Sequence, residues 1–416
     1  MEYPQGTPMT TTRFINANVI DTRNGKVLAN QQVRIQDGRI VAVSDSPLEG
    51  SDDHVIDIQG HFLMPGLVDS HVHVTAITPN FALLETLSPF YVGAKSSELL
   101  EAMLMRGFTT VRDAGGADYG LAKAVDEGAL VGPRLLYAGN ALSQTGGHAD
   151  MRGPGQQTFE GCFCCAGLGR VCDGVSEVRR AARDEIRKGA TQIKIMASGG
   201  VSSPTDRIDS TQFSLEEIDA IVEEATAANI HTMAHAYTAR AINRLIPRGV
   251  KTIEHGNLMD EESCRLFLEY DAYLTPTLCT YDALAKEGVE AGMAEHLQRK
   301  VYDVLDAGGK ALEMAQRYGV KMLYGSDLLG RMQRHQLNEF NLRKDVVPTD
   351  ELIRAATSHA ADAYGHTGDF GEIIPGARGD VIVLKDNPLD NINVLTQPDE
   401  QLMLIMKGGV AYKNLF

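Results

Sequence analysis

Two histidines, His71 and His73, stand two residues apart in "GLVDSHVHV" (66–74), a stretch that is otherwise largely apolar. In an extended strand the side chains at i and i+2 leave by the same face, so both imidazoles project together and can grip one object. Neutral imidazole is a ligand for zinc and similar divalent ions, and carboxylates complete such sets. Further residues of that kind recur along the chain: His235 in "HTMAHAY", His255 in "TIEHG" and Asp327 in "MLYGSD". Each alone has a plainer use, the histidines as buried hydrogen-bonding groups and Asp327 as the cap of a following helix. Lys194 in "QIKIMAS" is the odd member, because an unpaired ammonium inside an apolar strand is costly. It can pair with Asp327 or another carboxylate, serve as a Schiff-base amine, or be carboxylated into an anionic ligand shared by two metals.

These residues need elements to hold them. Apolar strand-like runs at 67–74, 109–115, 134–139, 192–198, 231–237, 252–256, 273–278 and 322–327 alternate with amphipathic helical segments. Among the latter are "SEVRRAARDEIRKG" and "SLEEIDAIVEEATAAN", the second opening with a capping box of Ser214 and Glu217. Eight strand–helix units read as a (β/α)8 barrel, an α/β fold whose chemistry sits at the C-terminal ends of its strands. Each candidate residue falls near such an end. Outside this region the texture changes. Residues 12–64 and those after Gly376 hold short β-rich runs without helices, divided by turns such as Asn24-Gly25 and Asp37-Gly38. The expected organisation is a small β-sandwich domain built from 1–65 and 371–416, split by a barrel over 66–370.

Composition narrows the function. Apolar residues make up 43% of 416 and charged residues 23%, values of an ordinary folded protein. With 39 basic against 55 acidic side chains the formal charge is -16, which repels nucleic acid and anionic membranes. No run of about eighteen apolar residues exists to span a bilayer, and "MEYPQGTPMTTTRF" lacks a basic segment followed by an apolar one, so a cytoplasmic protein is expected. Six cysteines are too few for a disulfide framework in so long a chain. Four of them, Cys162, Cys164, Cys165 and Cys172, crowd into "CFCCAGLGRVC", whose spacing suits tetrahedral zinc poorly. They read as thiols of a loop near the surface.

Taken together, "MPGLVDSHVH", "QIKIMASGG", "MAHAY", "IEHGN" and "YGSD" resemble the binuclear metal-dependent amidohydrolase superfamily over essentially the whole chain. The stretches "GFTTVRDAGGA", "ALSQTGGHAD", "IKIMASGGVSSPTD" and "TPTLCTYDALA" are similar to its prolidase-like carboxypeptidase branch, which includes ochratoxin A amidohydrolases. The resemblance implies two divalent ions, with zinc expected. His71, His73 and Asp327 would hold one, His235 and His255 the other, and an N6-carboxylated Lys194 would bridge them. His231, four residues before His235, is read as structural.

The implied reaction is hydrolysis of the amide bond before a C-terminal amino acid, in dipeptides or N-acyl amino acids, ochratoxin A included. There the ions acidify a water, and Asp327 takes its proton and returns it to the leaving nitrogen. Tyr237, on the same strand face as His235, donates to the developing oxyanion. The free carboxylate of such a substrate needs donors, for which His148 in "GGHAD" is the first candidate, beside the backbone of 197–205, with Arg152 a further one. The resemblance also implies a homo-oligomer, an octamer in this branch. Two other readings stand against this one: a cyclic amidohydrolase acting on imidazolones or dihydropyrimidines, and a metal-holding scaffold without catalysis.

Overall fold

Thr12–Asp21 and Lys26–Gln36 mix buried and more exposed residues, whereas Leu67–Val72, Phe108–Asp113 and Gln192–Met196 are buried along their whole length. The first pattern belongs to a sheet with one wet face and the second to parallel strands covered on both sides. The computed structural model describes residues 11–50, 53–156 and 166–416.

The terminal strands Thr12–Asp21, Lys26–Gln36, Arg39–Ser44, His54–Asp57 and Phe62–Pro65 share one eight-stranded sheet with Val381–Leu384, Leu402–Lys407 and Val410–Asn414. Phe62–Pro65 joins the two ends of the chain: it runs parallel to Thr12–Asp21 on one edge and antiparallel to Val381–Leu384 on the other. The two contributions therefore meet edge to edge in a continuous ladder. Phe14, Val33, Ile35, Leu63, Val383 and Leu404 form its apolar core. The Asp37-Gly38 turn is as the sequence predicts, with both residues in the left-handed region (φ 54° and 73°) that a two-residue hairpin requires.

Seven of the eight expected middle strands are present. Leu67–Val72, Phe108–Asp113 and Arg134–Tyr137 pair in a parallel three-stranded sheet. Gln192–Met196, His231–Thr238, Thr252–Leu258 and Tyr273–Thr275 form a second parallel sheet, extended by two short strands that the sequence reading missed, Ala141–Ser143 and Gly169–Val171. The expected closed barrel is not what the ladders form. Residues 322–327 make no strand: they hold a single bridge to Leu274, and isolated bonds run from Ser70 N to Tyr324 O (2.7 Å) and from Asp327 N to His71 O (2.7 Å). A side chain displaces the ladder here, because Asp69 Oδ1 accepts from the backbone N–H of both His71 and Ser326 (3.1 Å each). On the other side a backbone bond from Thr191 N to Tyr137 O (2.9 Å) links the two sheets.

Helices cover the parallel strands with their apolar faces. Val175–Arg187 buries Val178, Ala181 and Ala182, and Leu215–Ala227 buries Ile218, Ile221 and Ala225. The second begins with the expected capping box, Glu217 N donating to Ser214 Oγ and Ser214 N to the Glu217 carboxylate. No helix among the described residues is long and apolar enough to cross a membrane. Cys172 is buried and not near the surface as expected, and burial pushes its thiol up to about 12. Cys162, Cys164 and Cys165 lie outside the described residues.

Candidate active site

His71, His73, His235, His255 and Asp327 come from four separate stretches of chain and form one group. Asp327 Oδ1 lies 3.5 Å from His71 Nε2 and 3.4 Å from His73 Nε2, and its Oδ2 lies 3.9 Å from His255 Nδ1. His255 in turn packs against the ring of His71 (centroids 5.1 Å apart) and that of His235 (4.7 Å). His71, His73 and Asp327 can offer ligand atoms that all fall within 4.8 Å of one another.

Each imidazole is anchored by one nitrogen. His71 Nδ1 meets Glu254 Oε2 at 2.7 Å, His73 Nδ1 the carbonyl of Gly115 at 2.9 Å, His235 Nε2 the carbonyl of Gly199 at 3.0 Å, and His255 Nδ1 the hydroxyl of Thr277 at 2.7 Å. A ring that donates through one nitrogen has its lone pair on the other, the arrangement that orients metal-binding histidines. Burial also keeps the rings neutral: His73 falls to about 4, and His71, His235 and His255 lie well below the usual value, with desolvation the first cause in each. The donor set is thus in the protonation state that a divalent cation needs. Asp113 supports it from behind, accepting from the N–H of Val74, Gly115 and Ala117 and so fixing the turn that presents Gly115 O to His73.

Lys194 is buried in the middle of its strand, and desolvation lowers its ammonium to about 8 against the opposing charges of Glu254 and Asp327. Burial raises Asp327 to about 7 while Lys194 pulls it back down. Among the described residues, no carboxylate lies within 4.0 Å of the lysine nitrogen, so the direct ion pair considered above is not formed. Asp327 does not cap a helix either, since the next one, Gly330–His335, has Leu329 in that position.

The backbone is held in the left-handed region at His255 (φ 76°), Thr277 (φ 50°) and Asp327 (φ 50°), costing on the order of 1 kcal/mol or more at each non-glycine residue. Two of these carry candidate ligands and the third anchors one of them.

Tyr237 lies edge-on to His235 (4.7 Å) and receives a hydrogen bond from Tyr281 Oη (3.2 Å), which leaves its own hydroxyl proton to donate elsewhere. His148 stacks on His235 at 4.3 Å. Its Nδ1 contacts Ser203 Oγ at 2.8 Å, and that hydroxyl itself donates to Asp206. His148 therefore carries its proton on Nδ1, and burial drives its pKa down to about 3. In this neutral form Nε2 is an acceptor, so reading a carboxylate through it requires the protonated ring. Arg152 is already paired with Asp150 (2.6 Å). The loop against His148 is held by Lys300, whose ammonium donates to the carbonyls of Gly200 (3.1 Å), Ser203 (2.9 Å) and Asp206 (2.8 Å).

The packing of this loop makes Gly200 irreplaceable. A Cβ there would come within 2.0 to 2.3 Å of three atoms of the His148 ring. Gly200→Ala should push His148 off His235 and lower kcat/KM by roughly 100-fold, the effect of an ångström-scale displacement at a reacting centre. Steady-state kinetics alongside a thermal melt tests this, and an alanine variant with native kinetics would show that the stack is dispensable.

The amidohydrolase family model matches residues 62–411. The chain belongs to the amidohydrolase family. This amidohydrolase is 32% identical to the ochratoxinase of Aspergillus niger over 96% of its own length and 86% of that protein. It is 47% identical to a prolidase whose crystal structure was solved in complex with N-methylphosphonate-L-proline, with a TM-score of 0.95 over 97% of this chain and 100% of the other. A crystal structure of a Xaa-Pro dipeptidase with methionine bound in its active site is 28% identical, with a TM-score of 0.87 over 97% and 100% of the two chains. The protein is a hydrolase of amide or peptide bonds. Metal dependence is general in the family, and the His71, His73, Asp327 cluster of this amidohydrolase fits a divalent cation. Sequence reasoning missed Glu254, Asp113, Ser203, Asp206 and Lys300, which hold the candidate residues and their loops in place.

Proposed function

We propose that the protein is a binuclear, exo-acting amidohydrolase that cleaves the amide bond before a C-terminal amino acid in N-acyl amino acids and dipeptides, ochratoxin A among them. The observation that carries this reading is the bound molecule of the prolidase at 47% identity. N-Methylphosphonate-L-proline places a tetrahedral phosphorus where an N-acyl amino acid has its planar carbonyl, next to a free carboxylate.

In this reading His71, His73 and Asp327 would hold one cation and His235 and His255 a second, with Lys194, as its N6-carboxylate, a ligand to both. Zinc suits a set so rich in imidazole. When bound, the ions supply Lewis acidity and make water nucleophilic at neutral pH. Asp327 accepts the proton released in the attack and returns it to the leaving nitrogen, since an amine departs far more readily once protonated. Tyr237, its oxygen already accepting from Tyr281, donates to the oxyanion. The backbone of 197–205 pairs with the substrate carboxylate, and His148 joins it by taking up a proton together with that charge, since the ring is neutral in the empty site. Carboxylation of Lys194 turns the buried cation into an anion among ligands, which accounts for its place beside four neutral histidines. The same reading makes the working form a homo-oligomer, an octamer, and the exposed Leu83, Phe90 and Tyr91 support a subunit contact.

The test is a panel of N-acyl amino acids, dipeptides, their C-terminal amides, dihydropyrimidines and imidazolones. The free acids should be cleaved, with the amides at least about tenfold poorer, because burying one unpaired charge or donor costs on the order of 1–3 kcal/mol. Preference for the amides would refute exo-action, and turnover confined to the ring substrates would establish the cyclic reading instead.

A further inference from the structure

We infer that Arg112 and Glu254 form a buried positioning pair that fixes His71 in the one tautomer able to bind a cation, an inference that rests on the reading of His71 as a metal ligand. Both side chains are completely buried. Glu254 Oε1 accepts from Arg112 Nη2 at 3.0 Å and from Thr252 Oγ1 at 2.6 Å, which leaves Oε2 as the acceptor facing His71 Nδ1 at 2.7 Å. With Glu254 so loaded by donors, the proton of that last bond sits on the imidazole. His71 Nε2 is then bare, and it is the atom that faces Asp327.

Arg112 is placed to hold this arrangement from two sides. Its Nε donates to the carbonyl of Ser70, the residue before His71 (2.8 Å), while its Nη2 grips the carboxylate that orients the ring. Its Nη1 reaches Thr252 Oγ1 (3.1 Å) and His231 Nε2 (3.0 Å). The guanidinium plane lies 4.7 Å from the ring of Tyr364, which stacks on His231 at 5.3 Å and 3°. His231 is therefore a buttress, as read from the sequence, and its place in the fold is to hold Arg112. Stability alone does not explain such an assembly, because buried ion pairs replaced by well-packed apolar residues often cost nothing. What an apolar replacement cannot supply is a charged acceptor at His71 Nδ1.

Glu254→Gln is the discriminating change. An amide has one acceptor face: if its oxygen stays with Arg112 and Thr252, its NH2 points at His71 and forces the proton onto Nε2. If it rotates, its NH2 opposes the guanidinium. The variant should bind zinc at least tenfold more weakly by chelator competition while its circular dichroism stays native. A second measurement needs no variant: histidine 15N shifts of the metal-free native protein should show His71 protonated on Nδ1. Native zinc affinity in Glu254→Gln, or an Nε2-protonated His71 in the native protein, would overturn the inference. Neither readout involves a substrate, so failure of the exo-acting assignment appears in the hydrolysis panel alone, and failure of the metal reading appears as a native protein without zinc affinity.

Discussion

Replacing Lys194 by alanine is expected to lower kcat/KM by about 1000-fold or more, roughly 4 kcal/mol of transition-state stabilisation, and to take bound metal below two ions per chain. The size of the effect follows from where the lysine is. Its strand is buried on both faces, its ammonium has no carboxylate in contact among the described residues, and its charge acts on four neutral histidines and on Asp327. On the proposed reading this amine serves as its N6-carboxylate, an anion. On that reading, truncation to alanine would remove the anion and leave a cavity among the ligand candidates, which a small carboxylate could enter. Formate or propionate should therefore restore part of the activity of the variant and leave the native enzyme unchanged. Elemental analysis with and without the added acid measures both parts. Undiminished turnover, or two ions per chain in the alanine variant without any acid, would mean that the lysine is structural.

Asp327→Asn separates proton handling from metal binding. Asparagine keeps an oxygen where Asp327 Oδ1 now lies, 3.4 to 3.5 Å from the free nitrogens of His73 and His71, so a cation can still be held. Its amide nitrogen, however, cannot take up a proton and pass it on. Turnover should fall by roughly 100-fold or more with metal content retained. Near-native turnover in a metal-loaded Asp327→Asn enzyme would remove Asp327 from the proton pathway. The left-handed backbone at 327 makes asparagine a fair substitution, since it tolerates that conformation better than most residues.

The ligand candidates were legible because strands carry their information at a spacing of two. His71 and His73 announce a shared face, and an ionisable residue inside an apolar strand, as at Lys194, His235 and His255, stands out against its neighbours. The same logic applies to Arg112 in "TTVRDAG" and to Glu254 in "TIEHG", which are equally charged and equally buried. They were passed over because each satisfies the other, a pairing across 142 positions that no local pattern contains. Closure of the barrel was misread for a related reason: residues 322–327 look like a strand by composition, but Asp69 takes the backbone N–H of Ser326. The loop around His148 could not be assembled from sequence either, since Lys300 reaches it from a helix about a hundred residues away.

The sheet shared by the chain ends sets an order of events during synthesis. Phe62–Pro65 leaves the ribosome early, with one edge hydrogen-bonded to Thr12–Asp21 and the other waiting for Val381–Leu384. At about 5–20 residues per second the partner follows tens of seconds later. For that interval an apolar strand edge that carries Leu63 and Met64 stays open to other nascent chains. The central strands and helices, which bear every ligand candidate, can fold in the meantime. Val381–Leu384 thus closes a seam begun by Thr12–Asp21 and Phe62–Pro65, some three hundred residues earlier in the chain.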